Sequence, residues 1–332
     1  MGESPGVGSI MPASRREYST YAGTNGLWYN PRMAWLECVP NVSEGRDHGV
    51  IDRMAARLAA TPGVRLLDVH RDADHHRSVF TMIGEAAALS DAVLRLCAEA
   101  LAAIDLRRHA GRHPRIGAVD VVPFVPLSEA TMVEAVAAAR ATAKDVAERF
   151  ALPVLLYEEA ASAPHRRRLE QVRRGRFEGL ADKLRQPEWR PDFGPDAPHP
   201  TLGAVAIGAR RLLVAYNINL ATERLDIGVA VAAAVRASSG GLSHVKAMAL
   251  PLPDRGLVQV SMNLTNVDVT PMGVVFEAVS REAARHGVSV AESEVVGLVP
   301  AAALGQATPE SLRIVDWQPT KILDSRLLPG SA

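Results

Sequence analysis

Val64-Arg-Leu-Leu-Asp-Val69 and Ser78-Val-Phe-Thr-Met-Ile83 are two short apolar runs separated by the polar stretch His70-Arg-Asp-Ala-Asp-His-His-Arg77. Runs of this length, rich in branched residues and bounded by polar clusters, predict two strands joined by a turn. Upstream, Trp35-Leu-Glu-Cys-Val-Pro40 predicts a first strand. Asp47 is placed to cap a helix in which Val50, Ile51, Met54 and Leu58 recur at helical spacing until Pro62-Gly63 stops it. Downstream, Leu89, Val93, Leu96, Cys97, Leu101 and Ile104 predict a second helix, and Val121-Val-Pro-Phe-Val125 a further strand. The order β-α-β-β-α-β is that of a ferredoxin-like unit.

A helix over roughly Thr131 to Phe150 and a strand at Pro153-Val-Leu-Leu-Tyr157 extend this unit. His165-Arg-Arg-Arg168, Arg173, Arg174 and Arg176 fall on a predicted amphipathic helix with Leu169 and Val172 inward, and a solvated basic face is the expectation for them. The pattern then repeats. Leu212 to Leu220 is a strand, Leu225 to Val235 a small-residue helix closed by Gly240-Gly241, and Val245 to Leu250 with Leu257 to Met262 a hairpin around Asp254-Arg-Gly256. A helix from Val274 to Ala284 and a strand near Val295 to Val299 complete a second unit, followed after Thr308 by short helix and coil. The fold class is therefore α/β (α+β) with two similar subdomains, at 33–209 and 210–332, joined after the proline-rich segment Arg190 to Gly203. A cleft between them is the favoured place for a small-molecule site. Residues 1–32 lack hydrophobic periodicity and read as a flexible extension.

With 332 residues, 48% hydrophobic and 22% charged, the chain is long enough for two cores. Lys+Arg and Asp+Glu both number 37, so no global charge draws it to nucleic acid or a membrane, and any anion site must come from local arginines. Cys38 and Cys97 lie in apolar contexts, as buried free thiols of a reducing compartment do. No apolar run reaches the ~18 residues of a membrane span, and the first residues hold no signal-peptide h-region. The cytoplasm is the expected location.

Three stretches carry chemistry. In His109-Ala-Gly-Arg-His113-Pro-Arg-Ile-Gly-Ala-Val-Asp120, Pro114 pushes His113 toward extended geometry and the glycines permit close backbone approach. The four-residue spacing of His109 and His113 would suit a metal only on a helix, which Gly111 and Pro114 oppose. A general acid/base histidine with Arg112 and Arg115 as carboxylate partners stands evenly against a histidine bonded into a structural turn. In Asp68 to Arg77, the cluster of Asp72, Asp74, His75 and His76 suggests metallohydrolase ligands. The favoured reading is instead a polar turn whose acids cap backbone and whose Arg77 points into a cleft. In Asp192-Phe-Gly-Pro195 to Gly203, three prolines preset an extended path that composition alone reads as a linker. No dinucleotide loop, phosphate loop or Gly-x-Ser-x-Gly elbow is present.

Taken together, Glu37-Cys-Val-Pro-Asn-Val-Ser-Glu-Gly45, Arg108 to Asp120, Pro191-Asp-Phe-Gly-Pro195, Gly208-Ala-Arg210, Val214-Ala-Tyr-Asn-Ile-Asn-Leu220, Val258 to Leu264 and Val296-Gly-Leu-Val-Pro300 resemble the glutamate formimidoyltransferase family. The family includes the transferase half of bifunctional formiminotransferase-cyclodeaminases. The resemblance implies two ferredoxin-like βαββαβ subdomains with facing mixed β-sheets, in a homodimer. It implies transfer of the formimino group of N-formimino-L-glutamate to N5 of the co-substrate tetrahydrofolate, in histidine degradation, with no metal. The family's catalytic histidine falls on His113. Its folate-contacting stretch falls on Gly194, Pro195, Asp196, Ala197, Pro198, His199, Pro200, Thr201, Leu202 and Gly203. The carboxylate-rich substrates call for cationic partners, for which Arg77, Arg115, Arg210 and Lys246 are the candidates. Many members carry Asn-Arg where this chain has His76-Arg77, and animal forms carry aspartate at His70. The product would pass to a separate cyclodeaminase. Alternatives are an ATP-dependent 5-formyltetrahydrofolate cycloligase, a non-catalytic folate-binding protein, and a hydrolase built on the Asp72 to His76 cluster.

Overall fold

The computed structural model describes residues 34–111 and 113–327; the extension at 1–32 and Arg112 lie outside them. In the first unit, β1 (Leu36–Cys38) and β2 (Asn41–Val42) act as one strand interrupted at Pro40, each pairing with both β4 (Arg77–Gly84) and β5 (Val119–Pro126). Proline has no N–H to give a ladder, which accounts for the break. Between them run α1 (His48–Ala59), β3 (Val64–Asp72) and α2 (Ala86–Ala103), so the strands lie in the order β3-β4-β1/β2-β5. Asp47 Oδ1 accepts from Val50 N at 3.0 Å, and Val50, Ile51, Met54 and Leu58 are buried, as their spacing predicts. A Thr131/Glu134 capping box opens α3 (Met132–Phe150), which leads to β6 (Val154–Glu158). β7 (Val205–Ala209) then enters between β5 and β6, parallel to both, and makes the first sheet mixed.

The second unit runs β8 (Val214–Leu220), α6 (Leu225–Val235), β9 (Val245–Leu252), β10 (Leu257–Leu264), α7 (Met272–Arg285) and β11 (Val290–Val296). Its order, β11-β8-β10-β9, is the ferredoxin-like one. Every pair in it is antiparallel, so the expectation of two mixed sheets holds only for the first. Each helix here returns the chain to a strand two places away, so no parallel strands become neighbours. β11 also starts earlier than its apolar run suggested. Glu292 and Glu294 sit on the sheet's inner face, taking hydrogen bonds from Asn219 and Asn217 at 2.9 and 2.8 Å, which hides the strand from hydropathy.

Helices cover one face of each sheet: α1, α2 and α3 over the first, α6 and α7 over the second, each on its own apolar core. A smaller cluster, Leu67, Ile83, Leu298 and Leu323, joins the units, and Cys38 and Cys97 are both buried free thiols. The segment from residue 164 to 193 is not one amphipathic helix with a solvated face. It contains the short helices α4 (Leu169–Val172) and α5 (Leu180–Leu184), flanked by 3-10 turns at Pro164–Arg166 and Pro187–Trp189, and lies across β5, β6 and β7, with Val172, Leu180 and Leu184 buried against Val121, Leu155 and Ala206. Parallel strands need cover on both faces, and this segment supplies the second. The proline-rich stretch belongs to the same unit rather than to a linker, since Val154 N donates to Phe193 O and Asp192 N to Val154 O, both at 2.9 Å.

One buried ion pair anchors that cover. Arg166 Nη1 donates to Asp192 Oδ2 at 2.6 Å, and the same oxygen accepts from Leu156 N at 2.7 Å. Both side chains are under a tenth exposed. Arg166→Ala leaves Asp192 buried without its countercharge and should cost about 3–5 kcal/mol, read as a lowered urea midpoint; an unchanged midpoint contradicts the anchoring role.

Candidate functional site

Strand alternation places Glu37, Asn41, Arg77 and Thr81 on the open face of the first sheet, and Asn217, Ser261 and Asn263 on that of the second. These polar faces look at each other across a cavity, which His113 enters from the side.

His113 lies in a bend outside any helix, on a loop pinned from two directions. Ser43 Oγ donates to Gly117 O and Ser43 N to Ala118 O, each at 2.7 Å. From the other side Ala118 N donates to Leu202 O and Ala204 N to Ile116 O. A Cβ on Gly117 would stand 1.9 Å from Ala204 O, and one on Gly111 2.6 Å from His75 O, so both positions demand glycine. Asp120, at the start of β5, accepts from Ile116 N at 2.7 Å and pairs with Arg173 Nη2 at 2.5 Å.

His113 Nδ1 faces Pro114 O at 2.9 Å, and Arg77 Nη1 lies 2.7 Å from His113 Nε2. An arginine can only donate and a carbonyl can only accept, so the network assigns the proton to Nδ1 and the lone pair to Nε2. Burial, then the charges of Arg77 and Arg173, push the His113 pKa well below the usual range. Burial and the neighbouring Arg173 charge also bring Arg77 down to about 9, against the pull of Asp120 and Asp72. The Nε atoms of Arg77 and Arg173 and Thr81 Oγ1 are buried with no hydrogen-bond partner among the described residues. All three residues line the cavity. The His113 end therefore offers a neutral base flanked by two guanidiniums.

The Asp68 to Arg77 stretch is strand, turn, strand. Asp72 accepts from His75 N at 2.8 Å and lies 2.6 Å from His75 Nδ1. Burial works against its ionisation, but these bonds outweigh it and hold Asp72 below the ordinary carboxylate value. His76 sits at φ 52° in the turn, a left-handed conformation that Asn and His tolerate better than most residues. Its Nδ1 accepts from Gly45 N at 3.1 Å and its ring stacks on His109 at 4.3 Å. His70 lines the cavity, its pKa lowered chiefly by burial. Among the described residues no group of three or more His, Cys, Asp or Glu is placed to hold a metal.

The other sequence candidates separate. Arg210 lines the cavity, at the end occupied by Glu37 and Tyr157. Arg115 does not line it: 7% exposed, it gives Nε to His109 Nδ1 at 2.9 Å and Nη2 to Glu178 at 3.0 Å. His109 in turn gives Nε2–H to His76 O, a structural role. Lys246 is at the rim, 3.5 Å from both Glu158 and Glu170, bridging the two units. None of Gly194 to Gly203 lines the cavity. His199 Nδ1 accepts from Leu202 N at 3.1 Å, and Leu202 and Gly203 brace the His113 loop.

Sequence reasoning missed Arg173 and Glu37. Arg173 hid in an arginine-rich run, and the signal for it was Asp120, a carboxylate opening a strand otherwise wholly apolar. Glu37 is a carboxylate inside the first strand, 4% exposed, and burial raises its pKa to about 7 against the pull of Arg210.

Residues 35–210 match the formiminotransferase domain, N-terminal subdomain, and residues 215–312 match the formiminotransferase domain. A glutamate formimidoyltransferase of Streptococcus pyogenes serotype M1 is 42% identical over 294 residues, 88% of this chain and 98% of that one. One from Thermoplasma acidophilum is 43% identical over 297 residues, 89% of this chain and 98% of that one. The formimidoyltransferase-cyclodeaminase of Rattus norvegicus is 40% identical over 274 residues, 81% of this chain but 51% of that longer protein.

The buried histidines set a pH dependence. His70, His76, His109 and His113 all have lowered pKa values in the fold, each first through burial. Unfolded, they titrate near ~6.5. Below that pH the unfolded chain binds more protons, so stability is complete above about 6.5 and is lost as pH falls through the depressed folded values. Urea midpoints should drop between pH 7 and pH 5, less steeply in His113→Gln; a flat wild-type profile contradicts this.

Proposed function

This chain belongs to the formiminotransferase family, and on that premise we propose that it is a glutamate formimidoyltransferase with His113 as its acid/base. The reaction moves the formimino group of N-formimino-L-glutamate to N5 of tetrahydrofolate: an N5–C bond forms, the C–N bond to glutamate breaks, and one proton passes from N5 to the departing nitrogen. The observation that carries the reading is the Nε2 lone pair of a neutral, buried histidine at the wall of a cavity that Arg77 and Arg173 also line. A base with a lowered pKa is uncharged at neutral pH, and once protonated it returns the proton readily.

Arg77 holds that lone pair. A substrate carboxylate, which accepts charge-assisted bonds far better than an imidazole does, draws the guanidinium away and uncovers Nε2. Binding and exposure of the base are then one event, with Arg77 and Arg173 as the carboxylate partners near the reacting end and Arg210 at the other. Arg115 and Lys246 act through the loop and the rim. The stretch from Gly194 to Gly203, outside the cavity, is assigned to the part of the folate that projects beyond it, a role that rests on the resemblance alone. A homodimer in the cytoplasm completes the proposal, and a monomer mass by light scattering contradicts the dimer.

Purified protein should convert formiminoglutamate and tetrahydrofolate to 5-formiminotetrahydrofolate and glutamate, and His113→Ala should lower kcat by ~10²-fold or more. Wild-type protein that binds tetrahydrofolate yet forms no product sinks the assignment.

A further inference from the structure

The end of the cavity away from His113 carries a carboxylate that the transfer chemistry does not use. Glu37 is 4% exposed and lines the cavity. Among the described residues it accepts no side-chain hydrogen bond and makes no ion pair, although Arg210 is near enough to oppose its raised pKa. On the neighbouring strand Thr81, also in the cavity wall, has a buried hydroxyl with no partner, facing Gly297 of the second unit. Val39, Val79 and Leu298 give this end apolar walls. A buried carboxylate without a partner is costly, so its presence here calls for a ligand that supplies donors.

Resting on the functional reading above, we propose that Glu37 binds the 2-amino-4-oxopyrimidine edge of the pteridine, its two oxygens accepting from N3–H and the 2-amino group. A carboxylate is acceptor-only, and two parallel N–H donors match it in the same bidentate way that a guanidinium does. The formimino substrate also carries paired N–H donors, but its reacting carbon belongs beside His113. Glu37 pairs with Ile83 near the end of β4, whereas Arg77, which touches His113, begins that strand. The two positions lie on the order of 20 Å apart along the strand at ~3.4 Å per residue, so they mark opposite ends of the cavity wall. N5 belongs to the second ring of the pteridine, so anchoring the N3 edge at Glu37 points that ring along the cavity toward the His113 end.

Glu37→Gln keeps the shape, replaces one acceptor by a donor, and relieves a buried charge, so it should fold. The Michaelis constant for tetrahydrofolate should rise at least ten-fold, while that for formiminoglutamate moves less than two-fold. Calorimetric binding of tetrahydrofolate alone should weaken in step. A rise confined to formiminoglutamate assigns the carboxylate to the amidine and overturns the proposal, as do two unchanged constants. Wild-type protein that binds no tetrahydrofolate removes the functional reading and this inference together; wild-type and variant binding equally removes only the inference.

Discussion

A β-sheet with helices on one face leaves its other face to be covered, and in this chain the two sheets cover each other except where the segment from 164 to 193 lies over β5, β6 and β7. That constraint organises the molecule. Full apolar contact would have produced one continuous core. Instead the apolar join is confined to the cluster around Leu67, Ile83, Leu298 and Leu323. The rest of the facing surfaces mixes apolar side chains such as Val39 and Val79 with polar ones, from Asn41 and Arg77 on one side to Asn217 and Asn263 on the other. A polar gap between rigid sheets is a ready binding site, because its groups are held by strands rather than by mobile loops. The tail reinforces the join: Arg326 Nη2 donates to Leu67 O, and Lys321 lies 3.5 Å from Asp68.

Within the gap, like charges are packed closely. Arg77 and Arg173 depress each other's neighbour His113, and Asp120 and Asp72 keep the group from accumulating net positive charge. Removing either acid would leave buried guanidiniums uncompensated, which is costlier than never having placed them there. The acids therefore hold the arginines in position at the cavity wall.

The helical cores were legible because burial on one face imposes a period that a sequence shows directly. Val50, Ile51, Met54 and Leu58 on α1 are the plainest instance. The hairpin turn at residues 73–76 was legible too, from its polar cluster between apolar runs. The second face of each sheet was not. Residues facing a polar cavity look like residues facing water, so Glu292 and Glu294 concealed the start of β11, and Arg173 passed for part of a solvated face. Arg115 shows the converse. Two residues from the catalytic candidate in sequence, it turns instead to His109 and Glu178, with Pro114 setting the chain direction between them.

The cavity is thus electrically graded along the strands. Its His113 end carries two arginines and a neutral base; its other end carries Glu37, whose pKa burial pushes up to about 7, with Arg210 beside it. A ligand with donors at one end and carboxylates elsewhere fits that gradient in one orientation better than in the reverse, since the reverse sets carboxylate against carboxylate in a poorly solvated gap. Orientation is then fixed by the sheet itself. Glu37, Asn41 and Arg77 occupy strands whose register is set by backbone pairing, and a slip of one residue would turn all of them into the apolar core. The pairing that makes the fold also sets the direction in which a substrate can lie.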